Sequence, residues 1–236
     1  MRDGDPVSPG LEAFLAESPL NRRHIAAFLR RAAASLPVGS RVLDAGAGTA
    51  PYRELFAAHE YTTTDWANTP HPEALKADVI APIGDLPLDD AAFDCVICSE
   101  VIEHLDDPVA ALAELRRVLK PGRRAWVTAP FVWEFHEEPY DFYRYTRHGL
   151  RSVLERAGFE KVDVTPFGGC FSTVAQLLRN LGSIAGASGP GAPAAGRAIG
   201  EGLRRAAPAL ARMDRWDRRG VLPLGHGAVA TAPTGR

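Results

Sequence analysis

The feature that most constrains this chain is VLDAGAGTAPY, residues 42–52, in which an apolar run ends in an aspartate and a glycine turn. Gly46 and Gly48 lack a β-carbon, so the backbone can turn tightly there and come close to a ligand. In a doubly wound α/β sheet, ligands bind beyond the carboxyl ends of the strands, where the first strand-to-helix turn lies. The motif therefore predicts a ligand site in an α/β protein.

The rest of the chain alternates apolar strands with helices. Seven runs have strand character: RVLDAG, EYTTTDW, ADVI, FDCVICS, RAWVTAP, FEKVDVTPF and GAVATAP. Predicted helices include PYRELFAAHE, a segment from Pro108 that ends at Lys120, Pro121 and Gly122, and RHGLRSVLERA capped by Thr146. This alternation predicts an α/β fold with a doubly wound, mostly parallel seven-stranded sheet covered on both faces.

Composition excludes several classes of protein. The 236 residues contain 46% hydrophobic and 24% charged residues, which is typical of a folded globular chain. The formal net charge of -2 gives no overall attraction to nucleic acid or to an anionic membrane. There is no apolar run of about 18 residues. We expect a cytoplasmic protein with no membrane or nucleic-acid partner, either a monomer or a homodimer.

The three cysteines, Cys95, Cys98 and Cys170, are too few for a disulfide framework. Cys95 and Cys98 form a C-x-x-C within a predicted strand, where residues three apart point to opposite faces. We therefore interpret them as core residues. No His, Cys, Asp or Glu cluster has metal-ligand spacing, so no metal is predicted.

The residues around the turn favour a cationic ligand over a dinucleotide. A dinucleotide site uses G-x-G-x-x-G, but Pro51 occupies the third position and has no amide hydrogen for a phosphate. Asp44 suits a cationic ligand, such as an ammonium or sulfonium, and would repel a phosphate. Asp65, at the end of the second strand, can accept hydrogen bonds from ribose hydroxyls.

Three motifs, which follow one another along the chain, resemble those of a known family: VLDAGAGTAPY, TTTDW, and the run from KADVIAPIGDLPLDDAAFDC to RVLKPGRRAWVTAP. Together they resemble the class I, Rossmann-like S-adenosylmethionine-dependent methyltransferases, in particular the small-molecule, type 11-like subgroup. The similar region is residues 38–165, over half of the chain. The resemblance implies that S-adenosyl-L-methionine is the cofactor and S-adenosyl-L-homocysteine the product.

The resemblance also implies roles for ten residues of the cofactor site. The methionine end would be lined by Asp44, Ala45, Gly46 and Gly48. Asp65 would bind the ribose, and Trp66 would pack on the adenine. Asp78 would accept from the adenine amine, and Val79 would contribute its backbone. Ser99 and Glu100 would close the pocket. Taken singly, Asp44 and Asp78 could be capping residues and Trp66 a core aromatic. Many relatives carry glycine where this chain has Ala50.

The resemblance divides the single domain 1–236 into a helical cap at 19–37, a cofactor-binding core at 38–165, a helical insertion at 171–220, and a last strand with its tail at 221–236. The insertion contains the glycine-rich linker GASGPGAPAAG and a helix that Pro208 interrupts. It could form an acceptor-binding lid. A dimer contact or a solvated helix is the alternative.

Candidate acceptor residues follow the fourth and fifth strands. His136 is the preferred general base and His104, in EVIEHLDDP, is the second candidate, although His104 could instead fix its loop. The loop FVWEFHEEPYDFYRY offers further polar and aromatic groups for substrate binding: Tyr140, Asp141, Tyr143, Arg144 and Tyr145. Some of these aromatic side chains must instead be packing residues.

We expect methyl transfer to a small polar or aromatic acceptor, such as a sugar, nucleoside or secondary metabolite, on oxygen or nitrogen. The alternatives are a protein that binds S-adenosylmethionine without catalysis, a methyltransferase of a protein acceptor, and a nicotinamide-dependent oxidoreductase.

Overall fold

The computed structural model describes residues 9–17, 19–68, 75–186, 194–217 and 219–234. Seven strands are β1 (Arg41–Ala45), β2 (Glu60–Asp65), β3 (Val79–Ile80), β4 (Phe93–Ser99), β5 (Leu119–Pro130), β6 (Glu160–Phe167) and β7 (Gly225–Thr231). Six α-helices are α1 (Pro9–Glu17), α2 (Leu20–Ala34), α3 (Pro108–Val118), α4 (Arg147–Arg156), α5 (Cys170–Gly186) and α6 (Ala194–Ala211).

The strands form one sheet in the order β3-β2-β1-β4-β5-β7-β6. Neighbouring strands from β3 to β5 are parallel, while β7 runs antiparallel to both β5 and β6. The strand order reverses between β1 and β4, so the carboxyl ends of these strands border the crevice in which such sheets bind ligands. The predicted α/β class and the mostly parallel seven-stranded sheet are confirmed.

Each face of the sheet has its own apolar core. On one face, Leu112 and Leu115 of α3 and Leu150 of α4 pack on the strands. On the other face, α2 is amphipathic and buries Ile25 and Phe28. The structure is therefore a three-layer sandwich of helices, sheet and helices.

The two faces also separate Cys95 from Cys98. Cys95 belongs to the apolar core on the α2 side and Cys98 to the core on the α3 side, as the strand period requires. Burial raises the pKa of Cys95 to about 12. Both side chains are inert core residues rather than a shared ligand pair.

Three helix predictions need correction. Residues 51–60 contain only a short 3-10 helix, Arg53–Phe56, whose turns close through hydrogen bonds such as Leu55 N to Tyr52 O. Helix α3 ends at Val118 and β5 already begins at Leu119, because Pro121 disfavours helical backbone at the residue before it. α6 continues through Pro208, which is exposed and only three residues from the helix end.

The insertion between β6 and β7 is a pair of packed helices. α5 contacts α6 so closely that a β-carbon on Gly182 would lie 2.8 Å from the Gly200 carbonyl oxygen. Asp214 fixes the start of α5 by accepting from the backbone amides of Gly169, Phe171 and Ser172. Residues 187–193 of the glycine-rich linker lie outside the described residues. Among the described helices, none is long and apolar enough to cross a membrane.

Leu112→Ala tests the core assignment. Leu112 is fully buried on α3, so its truncation should lower the free energy of unfolding by about 2–5 kcal/mol. Leu177→Ala on α5 is the matched control, because this leucine is 46% exposed and its truncation should change the free energy by less than about 0.5 kcal/mol. Urea denaturation of both variants measures the difference, and equal losses would contradict the packing.

Candidate functional site

A cleft of about 660 Å³ lies at the carboxyl edge of the sheet. Because β1, β2 and β4 run parallel and adjacent, their last residues meet there. Nine of the predicted site residues line the cleft: Asp44, Gly46, Gly48, Asp65, Trp66, Ser99, Glu100, His104 and Tyr140. The cleft therefore gathers residues that are far apart in the sequence.

The glycine turn forms one wall of the cleft, and its two glycines are required for different reasons. Gly46 has φ +72°, and a β-carbon there would lie 2.6 Å from a methyl group of Val101. Gly48 has φ +56° with open space around it, and its amide donates to the Asp65 carboxylate at 2.8 Å. Glycine serves close packing at the first position and backbone conformation at both.

Ala50 adopts a left-handed conformation, with φ +51°. This conformation costs a residue with a β-carbon about 1–2 kcal/mol. Ala50 departs from the glycine that the resemblance implies at this position, and the left-handed backbone explains why glycine suits it. The turn keeps its shape and carries some strain.

Asp65 is nearly buried and organises the turn. One carboxylate oxygen accepts from Gly48 N and the other from Trp66 N, each at 2.8 Å. Each oxygen can accept a further hydrogen bond, so the carboxylate retains capacity for ligand hydroxyls. Trp66 follows directly and meets the ring of Tyr140 edge-on, with ring centroids 4.9 Å apart.

Asp44 is a buried acid facing the cleft. The hydroxyl of Tyr61 donates a short hydrogen bond to it. Burial raises the pKa of Asp44 to about 7, with a further increase from the neighbouring Asp65 carboxylate. A cationic ligand would stabilise the ionised form of Asp44 in this poorly solvated position.

The structure places three predicted cofactor residues outside the cleft. Ala45 is buried within β1, and Val79 lies in β3. Asp78 precedes β3, and its carboxylate accepts from both the backbone amide and the hydroxyl of Thr63, which joins it to the neighbouring strand. These hydrogen bonds hold the pKa of Asp78 below its usual value. Residues 82–84, which follow β3, line the cleft instead.

Ser99 and Glu100 end β4 at the cleft. Thr128 of β5 contacts both, through the Ser99 hydroxyl at 3.1 Å and the Glu100 carboxylate at 2.9 Å. Glu100 also accepts from Asn21 of α2 at 3.1 Å, and its φ is +56°. Burial raises the pKa of Glu100. A strained, buried acid at this position is typical of functional sites.

Sequence reasoning missed the contribution of the amino-terminal helices. Phe14 of α1 and Arg22 of α2 line the cleft, where Arg22 lies close enough to stabilise the Glu100 carboxylate. No sequence pattern indicated that Arg22, near the start of α2, reaches the site. Only the packing of α2 over the sheet provides that information.

His104 is the candidate base that lines the cleft. Its Nδ1 lies 2.7 Å from the Tyr140 carbonyl oxygen, which can only accept, so Nδ1 carries the hydrogen. The neutral ring therefore has its lone pair on Nε2. His136, the preferred base in the sequence analysis, does not line the cleft, but its ring centroid is 4.7 Å from that of His104.

The loop of residues 131–145 is mainly held by its own polar groups. Arg144 and Asp141 form an ion pair at 2.5 Å that brings the pKa of Asp141 to about 2. The hydroxyls of Tyr143 and Tyr145 donate to the backbone carbonyls of Asp106 and Ile102. Four of the five predicted substrate residues thus support the loop, and Tyr140 is the one that lines the cleft.

Two further residues of this loop, Glu137 and Phe142, also line the cleft. No described residue of the insertion 171–220 lines the cleft, so its role as an acceptor-binding lid stays a prediction. Asn180 of the insertion donates a hydrogen bond to the Glu134 carboxylate of this loop at 2.8 Å.

Comparisons with known proteins agree with this geometry. A family model described as a methyltransferase domain matches residues 43–127. A probable S-adenosylmethionine-dependent methyltransferase of Mycolicibacterium smegmatis is 32% identical over 173 residues, which cover 68% of this chain and 65% of that protein. Residues 43–127 of this chain therefore correspond to a methyltransferase domain.

Other similarities extend this result. An O-methyltransferase of Aspergillus nomiae is 27% identical over 151 residues, 54% of this chain and 67% of that protein. A solved S-adenosylmethionine-dependent methyltransferase from Archaeoglobus fulgidus has the same fold, with a TM-score of 0.58, 20% identity, and coverage of 89% of this chain and 94% of that one. The chain spans between 16% and 67% of the lengths of the first curated relatives.

The cleft of the methyltransferase domain fits S-adenosylmethionine, the cofactor of this family. Gly46 and Gly48 let the backbone approach the ligand, Asp65 has acceptor capacity for ribose hydroxyls, and Asp44 is suited to a cation. A pyrophosphate fits less well, because the turn leads through Pro51 into a 3-10 helix of four residues with no α-helix amino terminus.

Ala50→Gly tests the strain in the turn. Glycine relieves the left-handed strain of about 1–2 kcal/mol but loses more conformational entropy on folding, so the variant should be up to about 1 kcal/mol more stable. Ala57→Gly is the control: Ala57 has φ -59°, and glycine there should destabilise by roughly 0.5–1 kcal/mol. Chemical denaturation without cofactor measures the free energy of unfolding of both variants. Losses of similar size in the two would contradict backbone strain at Ala50.

Asp44→Asn tests the raised pKa of Asp44. An acid whose pKa is higher in the folded state costs stability once the pH exceeds its unfolded value, near 4, and the cost grows until about pH 7. The variant should therefore gain stability over the wild type between pH 4 and pH 7, by up to about 4 kcal/mol, and the gain should level off above. Denaturation at several pH values, with exposed Asp89→Asn as control, measures this; a pH-independent difference would contradict the assignment.

Proposed function

We propose that this protein is an S-adenosylmethionine-dependent methyltransferase that acts on a small polar or aromatic acceptor, such as a sugar, nucleoside or secondary metabolite, at oxygen or nitrogen. The observation that carries the proposal is the Asp65 carboxylate, held by Gly48 and Trp66 at the edge of a cleft that the buried Asp44 also lines. The family membership of residues 43–127 supports the same activity.

When bound, S-adenosylmethionine supplies an electrophilic methyl group on a sulfonium. The protein contributes orientation and exclusion of water, which are the main requirements of an in-line transfer. Asp65 would hold the ribose and the glycine turn would support the methionine end. Asp44, Asp65 and Glu100 make the cleft acidic, which favours a cationic ligand.

The acceptor side of the cleft supports a small, polar or aromatic molecule. Tyr140 and Phe142 offer aromatic surface, and His104 and Glu137 offer polar groups. The cleft volume of about 660 Å³ falls within the range of small-molecule sites. His104 lines the cleft and His136 does not, so His104 is better placed to interact with an acceptor.

Calorimetry with S-adenosylmethionine and S-adenosylhomocysteine tests the proposed function. We expect micromolar binding to the wild type and a loss of at least about tenfold in Asp65→Asn, because a carboxylate accepting from hydroxyls is replaced by an amide. Asp78→Asn is the matched control, since this aspartate lies outside the cleft and the variant should bind nearly as the wild type does.

Three outcomes would count against the proposal. Absence of binding to the folded wild type would exclude S-adenosylmethionine as the cofactor. Equal losses in the Asp65 and Asp78 variants would mean that the cofactor does not use Asp65 as described. Stronger binding of a nicotinamide dinucleotide than of S-adenosylmethionine would favour the oxidoreductase alternative.

A further inference from the structure

Three potential metal ligands meet beside the cleft, and one of them, His104, lines it: Glu103, His104 and His136. Their ligand atoms, one from each side chain, all lie within 4.8 Å of one another. Around a single ion with bond lengths of about 2.0–2.2 Å, ligand atoms lie roughly 3–4 Å apart. Small side-chain adjustments would close the site. We propose that Glu103, His104 and His136 bind a divalent transition-metal ion.

The Glu103 side chain provides an independent reason to expect a cation. It is completely buried, and neither carboxylate oxygen has a hydrogen-bond partner among the described residues. The nearest side-chain nitrogen recorded for it, Nε2 of His104, is 3.7 Å away, too far for a hydrogen bond, and Arg144 and Arg22 contribute positive charge only at longer range. Burial of an unpartnered acid is costly. A metal ion is a partner that would satisfy both oxygens in this position.

Both histidines present a lone pair in the form that a metal needs. Nδ1 of His104 donates to the Tyr140 carbonyl oxygen at 2.7 Å, which leaves Nε2 as the ligand atom. Nδ1 of His136 lies 3.2 Å from the Glu134 carbonyl oxygen and 3.3 Å from Nη2 of Arg144; when Nδ1 donates to the carbonyl, Nε2 is left as the ligand atom. A backbone carbonyl behind the ring is the usual support of a metal-ligating histidine.

Backbone contacts fix the two segments that supply the ligands. The Glu103 carbonyl oxygen accepts from the amides of Phe142 and Tyr143 at 2.9 and 3.2 Å. Asp141 accepts from the His136 amide at 3.0 Å. The loop of residues 131–145 is thereby held against the segment after β4, and the cluster is preorganised before an ion binds.

The ligand chemistry indicates the class of ion. One carboxylate oxygen and two imidazole nitrogens suit Mn²⁺, Fe²⁺, Co²⁺ or Zn²⁺, whereas Mg²⁺ and Ca²⁺ prefer sites made of oxygen atoms. Glu137, which lines the cleft, places its carboxylate 3.9 Å from Nε2 of His104, within reach of the same ion. Three or four protein ligands would leave a coordination position for another molecule.

The location of the ion would also indicate which acceptor atom is methylated. This step rests on the proposed function. His104 lines the cleft, so a ligand in the open coordination position would lie on the acceptor side. A bound ion lowers the pKa of a coordinated hydroxyl, and this favours an oxygen acceptor over an amine. The ion would then occupy the Nε2 lone pair, and His104 would act as a ligand instead of a general base.

Co²⁺ binding to the full chain, treated with chelator and free of S-adenosylmethionine, tests the site. Calorimetry and the visible absorption of Co²⁺ should both report one equivalent bound to the wild type. Glu103→Gln and His136→Gln should each weaken binding by at least about tenfold. His148→Gln, an exposed histidine on α4, is the control and should bind Co²⁺ as the wild type does.

Thermal unfolding separates loss of the site from loss of the fold. Without metal, Glu103→Gln should melt no lower than the wild type, because a neutral amide of similar shape replaces an unpartnered buried carboxylate. Co²⁺ should raise the melting temperature of the wild type and of His148→Gln, but not that of the other two variants.

Two results would overturn the metal site. One is the absence of a one-equivalent Co²⁺ signal in the wild type. The other is retention of that signal in both Glu103→Gln and His136→Gln, which would mean that the ion binds elsewhere. Because these measurements need no cofactor, they are independent of the calorimetry with S-adenosylmethionine.

Discussion

The parallel pairing of β1 with β2 on one side and β4 on the other is the constraint on which the structure depends. Asp44 pairs with Thr63 across one edge of β1 and with Ile97 across the other. This register brings the ends of three strands to one level, so Asp65 can reach back to the Gly48 amide. The glycine turn, the cleft and the acidic character of its walls all follow from that alignment.

A second set of contacts joins the acceptor loop to this framework. Backbone carbonyls of the segment after β4 receive the amides and hydroxyls of the loop, so that polar and aromatic residues are used to hold it in place. Tyr140, Phe142 and Glu137 remain directed at the cleft. The loop therefore serves two purposes: it places a few side chains at the site and brings His136 beside His104.

The site keeps several buried carboxylates at a cost to stability. Burial raises the pKa of Asp44 and of Glu100, and burial together with the Glu100 charge raises that of Glu103 well above its usual value. Such groups persist where a ligand stabilises their ionised form. A cationic cofactor beside Asp44 and a metal ion beside Glu103 are the two ligands that these acids would suit.

The sequence by itself determined the strands, most helices, the glycine turn and the position of Asp65, because these depend on local periodicity, turn chemistry and strand ends. It failed at residues 51–60, where the predicted helix is only a short 3-10 helix, and at Pro208, through which α6 continues. Only the tertiary structure showed that Asp78 bonds to Thr63, that Arg22 reaches the cleft, and that Glu103, His104 and His136 meet. The reason is physical: these relations arise from the packing of segments distant in the chain, and neither spacing nor composition records which buried groups become neighbours.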